Sequence, residues 1–265
     1  MMANLLHPHD IAPHPPPIPR ADEIALFVDI DGTLVEFAAT PETVEVDAML
    51  PGLLRGLHAV LNGALAILSG RSLAQIDALL QLPWLPVAAQ HGAELRSHDG
   101  RVTRHVDDPE ALDTARAALT DLLVQAPELR LEDKGIALAL HYRTAPQAFK
   151  IARQIADVAL ARAGPSFELL HGDHVIELKS SRVDKGRALA TLMTQAPFLG
   201  RVPWMLGDDR TDEYAFAMAQ SLGGCGVIVG ARIPSVARHT LANVSAARMW
   251  LRHFVHGAIP HGAGI

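Results

Sequence analysis

The chain has 265 residues, 49% hydrophobic and 20% charged, the balance of an ordinary globular protein and far from that of a disordered or fibrous one. With 23 Lys and Arg against 29 Asp and Glu the formal charge is −6, which offers no basic footprint for nucleic acid or an anionic membrane and makes a small molecule the expected partner. The only cysteine, Cys225, excludes an intramolecular disulfide and fits a cytoplasmic setting, while composition leaves the oligomeric state open.

Residues 1–19 belong to a stretch with six prolines and three histidines in its first twenty positions; they read as a disordered leader, without the apolar core of a signal peptide. Nowhere does an uncharged apolar run reach membrane-spanning length. Five short apolar runs then end in small or polar residues: ALFV before Asp29, ALAIL before Ser69, PVAA before Gln90, VPWML before Gly207 and GVIV before Gly230. Such runs suit strands buried on both faces. Helix-length stretches such as LPGLLRGLHAVL and SLAQIDALLQL lie between them, so the pattern predicts an α/β fold with a doubly wound, Rossmann-like parallel sheet.

From about residue 95 to 180 the pattern changes to paired strands that alternate apolar and polar residues, with turns at Asp99-Gly100, near Lys134-Gly135 and around Gly172-Asp173. Helical stretches at 110–125 and 146–162 separate the pairs. The expected organisation is a core built from 20–94 and 181–255, an inserted α+β cap at 95–180, and a flexible C-terminus at 256–265.

The crevice of a parallel α/β sheet lies at the C-terminal ends of its strands, where the polar residues of all five runs fall. In VDIDGT, Asp29 and Asp31 project to one side of an extended segment and Gly32 frees the chain to turn; a plain turn would explain this motif alone. In LSGRS, the backbone N–H groups at the helix start, together with Ser69 and Gly70, form an expected phosphate cradle, with a simple helix cap as the alternative. Lys185 falls in the first turn of a helix expected to be capped by Asp184, where the dipole disfavours a cation unless an anion is near. GDDRTDE supplies Asp208 and Asp209 at a strand end and Asp212 and Glu213 on the next helix, a hard-oxygen cluster suited to Mg²⁺.

In this order, DIDGT, Ser69, Lys185 and GDD resemble the four motifs of the haloacid dehalogenase superfamily of phosphatases. The resemblance implies that Asp29 is the nucleophile that forms an aspartyl-phosphate and Asp31 the general acid and base. It places Ser69, Gly70, Arg71 and Lys185 at the phosphate, with a sugar clamp or a surface position left open for Arg71. Mg²⁺ would be held by the carboxylates of Asp29 and Asp208 and the backbone carbonyl of Asp31, with Asp209 and Asp212 as further candidates beside it. Asp29 is expected to be ionised, and Asp31, crowded by other acids, to carry the proton.

Three further stretches, GDDRTDE at 207–213, HGAE at 91–94 and LEDKGIALALHYR at 131–143, resemble trehalose-6-phosphate phosphatases in particular. That likeness implies trehalose 6-phosphate as substrate and sugar contacts from Glu132, Lys134, Arg143 and Glu177. Ser180 stands where the family often has a proline, which leaves the aim of Glu177 open. His91 is expected near the phosphate, and neither it nor His141 reads as a metal ligand. Two alternatives remain at this point: a phosphatase for another sugar phosphate, such as a sucrose, mannosyl or glucose phosphate, and a non-catalytic phosphosugar binder.

Overall fold

The computed structural model describes residues 15–37, 46–105, 107–231 and 234–257. In chain order the elements are β1 (Ile24–Val28), α1 (Met49–Val60), β2 (Leu65–Leu68), α2 (Leu73–Leu80), β3 (Val87–Ala89), β4 (Glu94–Arg96), β5 (Val102–Arg104), α3 (Pro109–Leu123), β6 (Arg130–Asp133), β7 (Leu138–His141), α4 (Phe149–Ala163), β8 (Phe167–Gly172), β9 (Val175–Ser180), α5 (Lys185–Met193), β10 (Val202–Gly207), α6 (Asp212–Ser221), β11 (Cys225–Val229), β12 (His239–Leu241) and α7 (Val244–Gly257). The chain forms two compact units, one from the residues up to Val102 together with those from Lys185 onward, the other from Thr103–Asp184.

The first unit is built on a sheet of order β12-β11-β10-β1-β2-β3-β4-β5. Pairing is parallel from β12 through β3 and turns antiparallel between β3 and β4. Alternation along β1 shows why the strands are apolar throughout. Ile24, Leu26 and Val28 join a core with Leu54 and Leu57 of α1 and Leu251 of α7, whereas Ala25 and Phe27 join another with Leu189 of α5 and Phe216 of α6. A strand covered by helices on both faces has no polar side to show. The sheet is therefore wound on both faces, as the sequence pattern predicts.

The second unit is an antiparallel sheet of order β6-β7-β9-β8. Leu138, Leu140, Ile176 and Leu178 point to one face and pack with Leu112 and Leu119 of α3 and Ile155 of α4 in a core of their own.

Three boundaries differ from expectation. The hairpin of β4 and β5, expected to open the inserted unit, instead extends the first sheet, because β4 pairs with β3 through Val87–Arg96, Ala88–Leu95 and Ala89–Glu94. Pro16, expected in a disordered leader, is buried, and the indole N–H of Trp250 donates to its carbonyl at 3.0 Å. Helix α7 runs through Gly257, into the segment expected to be flexible; the rest of that segment and residues 1–14 lie outside the described residues. Among the described residues no helix is long and apolar enough to cross a membrane.

Candidate active site

Strands β10, β1 and β2 are parallel neighbours, so their C-terminal ends open side by side and the polar residues after each one meet. The Asp29 N–H donates to the Leu206 carbonyl at 2.9 Å, which carries the β1–β10 pairing past the strand and sets Asp29 beside Gly207 and Asp208. The chain then turns: the Ile30 carbonyl accepts N–H bonds from Thr33, Leu34 and Val35. Gly32 has φ +76°, and a Cβ there would lie 2.3 Å from Asp208 Oδ2. Only glycine satisfies both the backbone and the close approach of the second acidic loop.

That second loop is organised by Asp212, which is fully buried. Its Oδ2 accepts the N–H groups of Asp208 and Asp209 at 2.9 and 3.0 Å, and its Oδ1 accepts from the Lys185 ammonium at 2.7 Å. Lys185 also reaches Asp29 Oδ1 at 3.0 Å, so one buried cation bridges two buried acids. Gly207 makes room for this, since a Cβ there would lie 2.2 Å from Asp212 Cγ. Asp209 is used differently: its Oδ1 accepts Thr211 N–H and Oγ1–H at 2.7 and 2.6 Å and Asp212 N–H at 3.2 Å, closing the turn into α6.

These settings separate the acids electrostatically. Burial holds the Asp29 carboxyl well above the usual carboxylate range, the charge of Lys185 opposes it, and Asp212, Asp208 and Asp209 add to the rise. Burial, with the charges of Asp212 and Asp209, pushes Asp208 up to about 8. For Asp209, burial is outweighed by Lys185, the Thr211 hydrogen bonds and His91, and its pKa falls to about 2. Lys185 is held well above its ordinary value, because the charges of Asp212, Asp29 and Asp209 overcome burial. Among the described residues, Lys185 is the one ammonium bonded to this cluster through both Asp29 and Asp212.

Carboxylate oxygens of Asp29, Asp208 and Asp212 lie within 4.8 Å of one another. Both oxygens of Asp212 are already bonded, to Lys185 and to two backbone N–H groups, which leaves Asp29 and Asp208 as the side chains open to a cation. The donor set is hard oxygen and partly buried, and it fits a divalent metal ion such as Mg²⁺.

Asp31 is not in this cluster. Its carboxylate is gripped by Arg71, with Nε donating to Oδ2 and Nη2 donating to Oδ1, both at 2.7 Å. Beside the acids expected around it, Asp31 thus has a guanidinium brought in from the loop after β2.

That loop is held from several sides. Ser69 is buried, and its Oγ accepts from Arg71 N–H at 3.2 Å. The His91 N–H donates to Ser69 O at 3.0 Å and the Gln90 N–H to Arg71 O at 2.9 Å. His91 packs over Gly70, where a Cβ would lie 2.7 Å from its ring. At the start of α2, Ser72 and Gln75 form a reciprocal capping box, and Leu73 N–H donates to Glu94 Oε2 at 3.0 Å. Two N–H groups at the helix start, those of Leu73 and Gln75, thus donate to protein oxygens. Ser69 and Gly70 remain at the crevice.

In the second unit, cross-strand register aligns Glu132 with Ala139 and Ala139 with Glu177, on the face opposite the helices. Lys134 Nζ donates to Glu177 Oε2 at 2.9 Å, and Glu132 Oε2 lies 2.8 Å from His141 Nε2. Arg143 is apart from this group, bonded to the carboxylate and carbonyl of Asp173 at 2.8 and 3.0 Å.

The model of the trehalose-phosphatase family matches residues 27–248, which takes in both units. The chain belongs to the trehalose-phosphatase family. It is 41% identical over 229 residues to the trehalose-6-phosphate phosphatase of Escherichia coli K12, covering 86% of this chain and 85% of that one. A solved trehalose-6-phosphate phosphatase related protein superposes with TM-score 0.71 at 25% identity, over 89% of this chain and 99% of the other. The C-terminal domain of a C. albicans trehalose-6-phosphate phosphatase shares the fold, with TM-score 0.77 at 19% identity over 89% of this chain and 92% of that one. The protein is a phosphatase, and it shares the fold of a solved phosphatase of the haloalkanoate superfamily from Bacteroides thetaiotaomicron, with TM-score 0.58 at 19% identity over 90% of this chain and 97% of that one.

One kind of residue carries no pattern in the sequence: the groups that shape the loops without facing the crevice. Glu94 and Gln90, whose Nε2 donates to Glu94 Oε2 at 3.2 Å, anchor the loop after β2, and Thr211 secures the loop after β10. The HGAE stretch is visible in the sequence, but the partner of its glutamate, Leu73, lies 21 residues away and only the fold reveals it.

Proposed function

We propose that this protein hydrolyses trehalose 6-phosphate to trehalose and inorganic phosphate through an aspartyl-phosphate on Asp29, with Mg²⁺ as cofactor. The observation that carries the reading is the buried Lys185 shared by Asp29 and Asp212 beside an incompletely balanced Asp208. An acid at a strand end, facing an ammonium and a cation-hungry neighbour, is set to meet a dianion. Mg²⁺ bound by Asp29, Asp208 and the Asp31 carbonyl would supply the positive charge that lets a carboxylate approach a phosphate.

An Asp29 oxygen bonds to phosphorus while the bond from phosphorus to the sugar oxygen breaks, and Asp31 gives that oxygen its proton. Water then attacks phosphorus, one of its protons passes to Asp31, and the bond to Asp29 breaks to release inorganic phosphate. Ser69, Gly70 and Lys185 surround the phosphate, Arg71 is paired with Asp31, and Asp209 and Asp212 keep the metal-bearing loop in shape. Glu132, Lys134 and Glu177 select the sugar, since carboxylates accept from hydroxyls and an ammonium donates to them. Arg143, paired with Asp173, joins them by exchanging that partner for a hydroxyl. The single cysteine, reduced and buried, fits a cytoplasmic setting.

Asp29→Asn is expected to abolish phosphate release with Mg²⁺ present, and a panel of trehalose 6-phosphate, sucrose 6-phosphate, glucose 6-phosphate and mannosyl phosphates to give the highest kcat/KM for the first. Substantial activity in Asp29→Asn, or a higher kcat/KM for another sugar phosphate, would overturn the mechanism or the substrate respectively.

A further inference from the structure

We propose that Arg71 is the positioning residue of the general acid: its guanidinium fixes the Asp31 carboxylate for proton delivery to the sugar oxygen. The inference rests on the assignment of Asp31 above and concerns how that side chain is aimed.

Two parallel N–H···O bonds of 2.7 Å join the fork of Arg71 to both oxygens of Asp31. This planar, bidentate pairing fixes orientation as well as distance, which a point charge cannot do. The Arg71 side chain is 8% exposed and that of Asp31 28%, so the anchoring partner is buried and the anchored one faces outward. The stem of Arg71 is fastened too, by its N–H to Ser69 Oγ at 3.2 Å and its carbonyl to Gln90 N–H at 2.9 Å. A carboxylate has about four lone-pair sites. A bidentate guanidinium takes one on each oxygen and leaves the others for a proton. The two acids of the DID motif thus face different cations, Lys185 (shared with Asp212) for Asp29 and Arg71 for Asp31, and the two cations come from different segments.

Leaving-group chemistry separates a positioner of the acid from a phosphate ligand. A sugar alkoxide leaves poorly and needs the proton, whereas p-nitrophenolate leaves without it. In rapid-quench measurements of leaving-group release, Arg71→Met is expected to slow release of trehalose from trehalose 6-phosphate about 100-fold and release of p-nitrophenol from p-nitrophenyl phosphate less than about 3-fold. Inhibition by inorganic phosphate should be unchanged, with the loss in kcat and not in KM. Arg71→Lys, which keeps the charge and loses the fork, should recover only part of the rate. Asp31→Asn should show the same selectivity for the sugar ester, and the double variant should be no slower than Asp31→Asn alone.

Equal losses on both esters with weaker inhibition by inorganic phosphate would make Arg71 a phosphate ligand and overturn the proposal; so would an Arg71→Met enzyme that releases trehalose at the wild-type rate. If the enzyme releases no p-nitrophenol, the phosphate-inhibition constant and the split between kcat and KM decide in the same way. Equal slowing of both esters by Asp31→Asn would instead remove Asp31 as the acid, a failure of the earlier assignment that carries this one with it.

Discussion

Lys185 is buried, its side chain 2% exposed, with two carboxylates at 2.7 and 3.0 Å from its ammonium. Replacing it by methionine keeps the stem and removes the charge that Asp29 and Asp212 share. Breaking a buried ion pair by removing one partner costs about 3–5 kcal/mol, because the other is left buried and uncompensated. Lys185→Met is therefore expected to lose that much stability in urea unfolding at pH 7 and to lose phosphatase activity. The sign of the pH effect follows from the acids. Burial first of all, together with Asp209, raises Asp212 to about 6, so its ionisation opposes folding and its protonation favours it. The deficit of the variant should shrink as the pH is lowered toward the unfolded carboxylate range, near 4, and a deficit that grows instead would refute this account. At this scale the sequence was informative about which residues matter and silent about pairing. Asp29, Asp31, Lys185 and Asp208 announce themselves by residue type after apolar runs. That Asp29 faces a lysine and Asp31 an arginine depends on contacts between segments 156 and 40 residues apart, which no local pattern encodes.

Among the elements, α2 shows how a buried acid can shape a loop from outside it. Glu94, on β4, accepts the N–H at the first position of α2 and the side-chain amide of Gln90, and thereby holds the loop that carries Ser69, Gly70 and Arg71. Glu94→Ala leaves buried donors without an acceptor, which costs about 1–3 kcal/mol. The expected outcome is a lower melting temperature together with a raised KM, as the loop loses its set; calorimetry and steady-state kinetics measure the two. A variant with normal stability and KM would show that the capping box of Ser72 and Gln75 suffices to hold the loop. The helix itself and its serine cap were readable from SLAQIDALL, because both signals lie within four residues. The strand pair β4–β5 was readable as a hairpin, but alternation of apolar and polar residues says nothing about which sheet a hairpin joins. Its pairing with β3, and hence its place in the first unit, is a tertiary choice.

For the whole molecule, the second unit has its own sheet, its own helices and a separate apolar core made from Leu112, Leu119, Leu138, Leu140, Ile155, Ile176 and Leu178. All of it comes from the continuous stretch Thr103–Asp184. A unit whose core is closed within one stretch of chain can fold alone. Expressed by itself, it is expected to give a cooperative thermal transition and dispersed amide signals; a non-cooperative melt would show that its core depends on the rest of the chain. The first unit has the opposite character. Its central pair, β1 and β10, joins Ile24–Val28 to Val202–Leu206 across the whole insertion. This gives the acidic centre a place in time as well as in space. During synthesis β1 emerges early and waits, with Asp29 at its end, until β10 and α6 have been made. A chain halted before Val202 can contain Asp29, the SGR loop and the complete second unit, yet it lacks both the strand that aligns Asp29 and Asp208 beside it. The acidic cluster of Asp29, Asp208 and Asp212 is thus assembled only when the sheet closes.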